Sequence, residues 1–181
     1  PNDTQVVTSH IKSTYVEFVE EEGGIAVPIP WDIDEDKFYK ILKSANGVLL
    51  TGGMAYLWKE DNFSEFSHFQ ERINKIMEFV KKQNDDGIYY PLWGICQGFE
   101  AIAISEANDT GVMDVFEHFG VLDTIQFTPK ARESRMFKYF TDKDYQYLET
   151  NKSMYFWHTY GVNDSLPEEF SEFDEDHYVI T

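Results

Sequence analysis

The segment WGICQGFE, residues 93–100, decides both the fold and the chemistry of this chain. The run that ends at Trp93 predicts a strand leading into it, and residues 97–107 predict a helix leading out. Cys96 thus stands at a strand-to-helix turn with a glycine two residues before and after it. This pattern is typical of a nucleophile elbow, here with cysteine in place of serine. The glycines allow close backbone passage, and the helix N-terminus favours the thiolate.

A buried structural cysteine is the alternative interpretation, because an unpaired cysteine is most often a small core residue. Cys96 is the chain's one cysteine, so no disulfide can form within these residues. We favour the nucleophile because both glycines and the strand-to-helix context surround the same residue.

A second glycine-rich turn, Gly52-Gly53, follows a short apolar run at residues 48–50. In elbow enzymes one oxyanion donor is the backbone N–H of the residue after the nucleophile, which is Gln97 here. The other donor comes from a loop after a neighbouring strand, and Gly53 can offer bare backbone for that purpose. An ordinary strand-ending turn is the alternative for this segment.

Helical and strand patterns alternate along the rest of the chain. Helical spacing of apolar residues predicts helices at 10–21, 34–45, 64–82, 97–107 and 167–173. Short apolar runs predict strands, or the end of one, at 5–8, 25–29, 48–50, 89–93, 154–157 and 177–181. This alternation predicts an α/β fold, a layered structure with a mostly parallel central sheet flanked by helices. No repeat or linker interrupts it, so residues 1–181 are interpreted as a single domain.

The formal net charge of −18 excludes a general nucleic-acid binder, which needs a basic face to displace phosphate counterions. No run of 18 apolar residues occurs, so we expect no membrane insertion. No Cys/His cluster has the spacing of metal ligands, and we expect neither a metal nor a cofactor. Five of the eight asparagines begin an Asn-x-Ser/Thr sequon, which favours a glycoprotein of the secretory pathway. These asparagines are Asn2, Asn62, Asn108, Asn151 and Asn163.

Together these motifs resemble the class I glutamine amidotransferase-like enzymes and, within them, the γ-glutamyl hydrolases. Trp-Gly-x-Cys-x-Gly-Phe-Glu is the most specific part of the resemblance. The segments that carry it run through nearly the whole chain, at 14–18, 24, 27–29, 46–50, 52–53, 91–100, 134–137 and 158–162.

The resemblance implies a cysteine omega-peptidase that removes γ-linked glutamates from folate poly-γ-glutamates in a lysosome, in a vacuole or outside the cell. It implies a three-layer sandwich and leaves a homodimer open. Carried over by position, Cys96 is the nucleophile, and Gly53 and Gln97 are the oxyanion donors. The remaining carried-over residues are substrate-side candidates: Glu100, His158 and Arg135. For Arg135 a structural ion pair is the alternative, and for His158 a packed, hydrogen-bonded histidine.

Two departures from the family pattern matter. Met54 stands where the family's loop usually carries a third glycine. The family's general base is a histidine in a His-Pro-Glu motif, and none of the five histidines here is followed by Pro-Glu. We therefore expect the base beyond Thr181, in a C-terminal segment that this chain lacks. We expect that the chain also lacks the first strand of the fold.

Two other functions fit the same residues. A glutaminase domain that delivers ammonia to a synthase would share the elbow, although glycosylation of the sequons would exclude such a cytosolic complex. A catalytically impaired hydrolase-like module, kept for packing or partner binding, would share it too. A reactive Cys96 would argue against that module.

Overall fold

A computed structural model describes residues 9–128 and 131–162 of the chain. The chain divides into two compact units, residues 1–105 and 106–181. The interpretation of residues 1–181 as a single domain stays a prediction.

The first unit contains four helices and two small sheets among its described residues. Its helices are α1 (Ser13–Glu20), α2 (Glu35–Ser44), α3 (His68–Asp85) and α4, which begins at Gln97 and continues to Ala107. Its strands are β1 (Val48–Leu50), β2 (Trp58–Lys59), β3 (Asn62–Phe66) and β4 (Leu92–Gly94).

The parallel pairing of β1 with β4 positions the site. Val48 lies opposite Leu92 and Leu50 opposite Gly94, so both strands end at the same edge. The connection between them includes the antiparallel β2–β3 hairpin and α3. Since sites in parallel sheets form at the carboxyl ends of strands, we expect a site in the segments that follow β1 and β4.

Apolar faces of α2, α3 and α4 form the core of this unit. Asp34 caps α2 and Ser67 caps α3, so each helix begins at a residue whose side chain accepts backbone N–H groups. The buried apolar residues are Phe38 and Leu42 of α2, Ile73, Ile76, Met77 and Val80 of α3, and Ala101, Ile102, Ala103 and Ile104 of α4.

The second unit is organised around a long antiparallel pair, β5 (Met113–Asp123) and β6 (Met154–Val162). Two register irregularities interrupt β5, where Glu117 and Gly120 have positive φ angles of 46° and 67°. Between the strands lie a 3-10 turn at Ala131–Glu133 and helix α5 (Asp142–Thr150). A small aromatic cluster forms there from Ala131, Phe127, Phe137 and Tyr145.

The α/β class is confirmed, whereas a mostly parallel central sheet is not. Among the described strands one pair is parallel, and the pairs β2–β3 and β5–β6 are antiparallel. None of the helices in the described ranges combines the length and apolar character needed to cross a bilayer.

Several helices and strands differ from their predicted bounds. The strand expected at 25–29 is absent, because prolines at 28 and 30 remove N–H groups that a ladder needs. The helix expected from residue 64 begins at His68, since residues before the Ser67 cap pair as β3. The helix at 97–107 is confirmed, and the strand at 154–157 continues to Val162. The elements predicted at 5–8, 167–173 and 177–181 lie outside the described residues.

Candidate active site

Cys96 occupies a strained turn between β4 and α4. Its φ angle is +53°, in the left-handed region that residues with a side chain rarely adopt, and its side chain is exposed. The Ile95 N–H donates to the Leu50 carbonyl at 3.0 Å, which ties the turn to the end of β1. The Phe99 N–H donates to the Cys96 carbonyl at 2.9 Å, which begins α4. Strain of this kind concentrates at functional sites, where the surrounding structure maintains it.

The two glycines of the elbow are required by close packing. A Cβ atom on Gly94 would lie 2.7 Å from the Gly98 carbonyl oxygen. A Cβ atom on Gly98 would overlap the carbonyl group of Leu50. Glycine at both positions therefore lets α4 start directly against the ends of β1 and β4.

The Gly52-Gly53 turn lies beside the nucleophile. A Cβ atom on Gly52 would be 3.1 Å from the Cβ atom of Cys96, and one on Gly53 would be 3.0 Å from Oε1 of Gln97. The structure thus brings together Cys96, Gly53 and Gln97, which sequence analysis had selected from two separate segments.

The backbone N–H groups of Gly53 and Gln97 are available at this place. In the part of the chain that the structure describes, neither group donates a hydrogen bond to another protein atom. Gln97 is the first residue of α4, and the first N–H groups of a helix have no partner within it. An anion placed between these groups would also benefit from the helix dipole.

Tyr15 is a neighbour of the site that sequence analysis did not single out. Its hydroxyl oxygen accepts a hydrogen bond from the Gly52 N–H at 3.0 Å. The resemblance of residues 14–18 to the family was a signal that could have found it, but no chemistry in that segment pointed to the turn.

Glu100 lies one turn into α4 and is only 9% exposed. Burial raises the pKa of its carboxyl group to about 7, because the interior disfavours the charged form. Within the described ranges the carboxyl group has no hydrogen-bond or ion-pair partner, so a buried acid is available close in sequence to the nucleophile.

His158 and Arg135 belong to the second unit. His158 on β6 lies opposite His118 on β5, with stacked rings whose centroids are 5.5 Å apart. Its Nδ1 atom donates a hydrogen bond to the Tyr160 carbonyl oxygen at 2.9 Å. Arg135 is exposed in the segment between the 3-10 turn and α5. The positions of His158 and Arg135 are therefore described only relative to other residues of the second unit.

Among the described residues, no group of three or more His, Cys, Asp or Glu side chains is arranged to hold a metal ion. The described part of the first unit brings a thiol, two backbone donors and one buried acid to the region around the elbow.

The chain is similar in sequence to members of one peptidase family. The family model described as Peptidase C26 matches residues 2–115. The γ-glutamyl hydrolase of Rattus norvegicus is 34% identical over 139 residues, which is 76% of this chain and 41% of that protein. The human γ-glutamyl hydrolase is 30% identical over 132 residues, covering 72% of this chain and 39% of that protein.

A plant relative matches over a longer stretch. γ-Glutamyl hydrolase 1 of Arabidopsis thaliana is 27% identical over 162 residues, which is 89% of this chain and 43% of that protein. The chain thus spans about two fifths of the length of the curated relatives it matches.

Proposed function

Because the chain belongs to the peptidase C26 family, we propose that it carries the nucleophile of a cysteine hydrolase that cleaves γ-glutamyl bonds of folate poly-γ-glutamates. The observation that carries this proposal is the position of Cys96. It stands exposed on a strained elbow beside the Gly52-Gly53 turn, and among the described residues the backbone N–H groups of Gly53 and Gln97 have no protein partner. The names of the relatives support γ-glutamyl compounds as the substrate class.

The reaction begins with attack of the Cys96 thiolate on the carbonyl carbon of the γ-glutamyl bond. A carbon–sulfur bond forms, and the π electrons of the carbonyl move to its oxygen. That oxygen becomes an anion between the N–H groups of Gly53 and Gln97, which stabilise it more strongly than the planar carbonyl. Removal of one preorganised donor of this kind typically lowers kcat by about two to three orders of magnitude.

The intermediate then collapses and expels the amine of the next glutamate, which must first receive a proton. The acyl group stays on sulfur as a thioester until water hydrolyses it, which restores the thiol. The proton carrier is a histidine base that the family resemblance assigns to a His-Pro-Glu motif. None of the five histidines of this sequence is followed by Pro-Glu, so we do not assign the role to any of them.

Three further residues are proposed to bind the substrate. Glu100 offers a buried acid that is partly protonated near neutral pH and can hydrogen-bond polar groups of the glutamate. His158 and Arg135, in the second unit, are proposed as contacts for its carboxylates. From the family resemblance of the sequence we also propose a three-layer fold, a lysosomal, vacuolar or extracellular location, and a homodimer.

The direct test is release of glutamate from pteroyl-di-γ-glutamate, followed by chromatography. We expect turnover by the longest natural form of the protein and none by its Cys96→Ala variant, because alanine leaves the elbow without a nucleophile. A Ser9→Ala variant, which changes an exposed residue outside the elbow, serves as the control.

Absence of turnover in both forms, together with a Cys96 that resists iodoacetamide at pH 6, would contradict the proposal. The remaining interpretation would then be a hydrolase-like module that binds a partner or supports packing.

A further inference from the structure

The loop that carries Gly53 has little packing of its own. Residues 51–56 form neither helix nor strand, and Met54 is 97% exposed. Two adjacent glycines add conformational freedom, since glycine loses more backbone entropy on ordering than any other residue. A loop of this composition needs external contacts to present one N–H group in a fixed direction.

Gln97 supplies two such contacts with its side chain. Its Oε1 atom accepts from the Ala55 N–H at 2.9 Å, and its Nε2 atom donates to the Ala55 carbonyl at 2.7 Å. The Gln97 amide therefore pairs with both the N–H and the C=O group of Ala55, as the backbone of a neighbouring strand would. The two residues are 42 positions apart in the chain, so this contact joins the Gly53 loop to the elbow.

Tyr15 supplies a contact on the other side of Gly53. Its hydroxyl oxygen accepts from the Gly52 N–H at 3.0 Å. A Cβ atom on Gly52 would lie 2.5 Å from this hydroxyl oxygen and 3.1 Å from the Cβ atom of Cys96, so the phenol reaches the immediate surroundings of the nucleophile. Gly53 is thus held between an anchor at Gly52 and an anchor at Ala55.

We infer that the side chains of Gln97 and Tyr15 are positioning residues that hold the Gly52–Ala55 loop so that the Gly53 N–H faces the oxyanion. The inference rests on the proposed function and adds two side chains to it, those of Gln97 and Tyr15. Gln97 then has two separate roles: its backbone N–H is one oxyanion donor, and its side chain fixes the loop that offers the other. Such preorganisation avoids reorienting the donors when charge develops, which is where an oxyanion hole gains its effect.

The test uses Gln97→Met, which keeps the length of the side chain and removes both hydrogen bonds. In the longest natural form we expect kcat on pteroyl-di-γ-glutamate to fall about tenfold to hundredfold, a part of what losing one donor costs. KM should change by less than about twofold, because the loss falls on the transition state. Tyr15→Phe should lower kcat in the same way, and Gln146→Met, at an exposed position on α5, is the control.

Two readouts separate positioning from general damage. The rate of Cys96 alkylation by iodoacetamide, which uses no oxyanion donor, should stay as in the unchanged protein. Affinity for an N-acyl glutamate γ-semialdehyde should weaken by about the same factor as kcat. This probe bonds its aldehyde carbon to the Cys96 sulfur, and its oxygen takes the electron pair at the oxyanion position. Unchanged kcat and unchanged aldehyde affinity in Gln97→Met would overturn the inference.

Hydrogen exchange at the Ala55 N–H tests the anchor without any reaction. We expect slow exchange in the unchanged protein and faster exchange in Gln97→Met. Equal exchange in both would show that the anchor does not exist. Slow exchange that the variant accelerates, in a protein that releases no glutamate, would instead contradict the proposed function and leave the loop anchor in place.

Discussion

At the residue scale, burial makes the charge of Glu100 sensitive to pH near neutrality. It is a carboxylic acid with 9% exposure and no partner among the described residues, one turn after the nucleophile. Burial therefore acts on it without compensation and raises its pKa from the ordinary 4.5 to about 7. An acid of this kind favours the folded state while it is neutral and opposes it when it is charged.

We predict that Glu100→Gln makes the protein less sensitive to pH between about 4.5 and 7. The contribution of neutral Glu100 is fully present below the unfolded pKa and is lost as the pH rises through the folded pKa. The free energy of unfolding should therefore fall relative to the variant by up to about 3 kcal/mol across this range. Urea unfolding at several pH values measures it, with Glu149→Gln at an exposed position of α5 as the control. Parallel pH curves for the unchanged protein and Glu100→Gln would contradict the prediction.

At the scale of the elements, α3 holds the segment before α2 through Arg72. The Arg72 guanidinium donates to the carbonyl oxygens of Trp31 at 3.0 Å and Ile33 at 3.1 Å, and it pairs with Glu35 at 3.1 Å. It also lies 4.5 Å from the centre of the Phe38 ring. Lys75 pairs with the same Glu35, so Arg72 and Lys75 both join α3 to α2.

We predict that Arg72→Met destabilises the first unit by about 1–3 kcal/mol, because two backbone carbonyls lose their donor. Arg72→Lys should recover only part of this, since a lysine lacks the planar fork that reaches both carbonyls. Lys75→Met removes one exposed ion pair and should cost less than about 1 kcal/mol. Chemical unfolding of the three variants measures the order, and an equal effect of Arg72→Met and Lys75→Met would contradict it.

At the scale of the whole molecule, charge and sequons point to the same kind of environment. The net charge of −18 would be partly neutralised in an acidic compartment. Three sequon asparagines fall in described segments, Asn62, Asn108 and Asn151, and all three are exposed. Exposed acceptor sites fit the proposed lysosomal, vacuolar or extracellular location.

We predict that the protein carries N-linked glycans when it is made in the secretory pathway. Treatment with an N-glycosidase should lower its apparent mass on a gel, and Asn62→Gln or Asn151→Gln should each remove one step. Asn46→Gln, which changes an exposed asparagine outside any sequon, should leave the pattern unchanged. A mass that the glycosidase does not alter would contradict both the glycoprotein and the location.

The sequence by itself determined the elbow, because its signals are local. The glycines at 94 and 98, the apolar run before them and the helix at 97–107 all lie within a few residues of Cys96. Other elements were harder to predict from the apolar pattern. Prolines at 28 and 30 prevent the strand expected at 25–29, and the Ser67 cap starts α3 later than predicted.

The tertiary structure alone decided what surrounds Cys96. The parallel pairing of β1 with β4 brings Gly53 to the nucleophile, and a contact across 37 residues brings Tyr15 to Gly52. The burial that raises the pKa of Glu100 likewise depends on the packing around α4 rather than on its neighbours in the sequence. Such contacts depend on strand register and side-chain packing between distant segments, which periodicity along the chain does not encode.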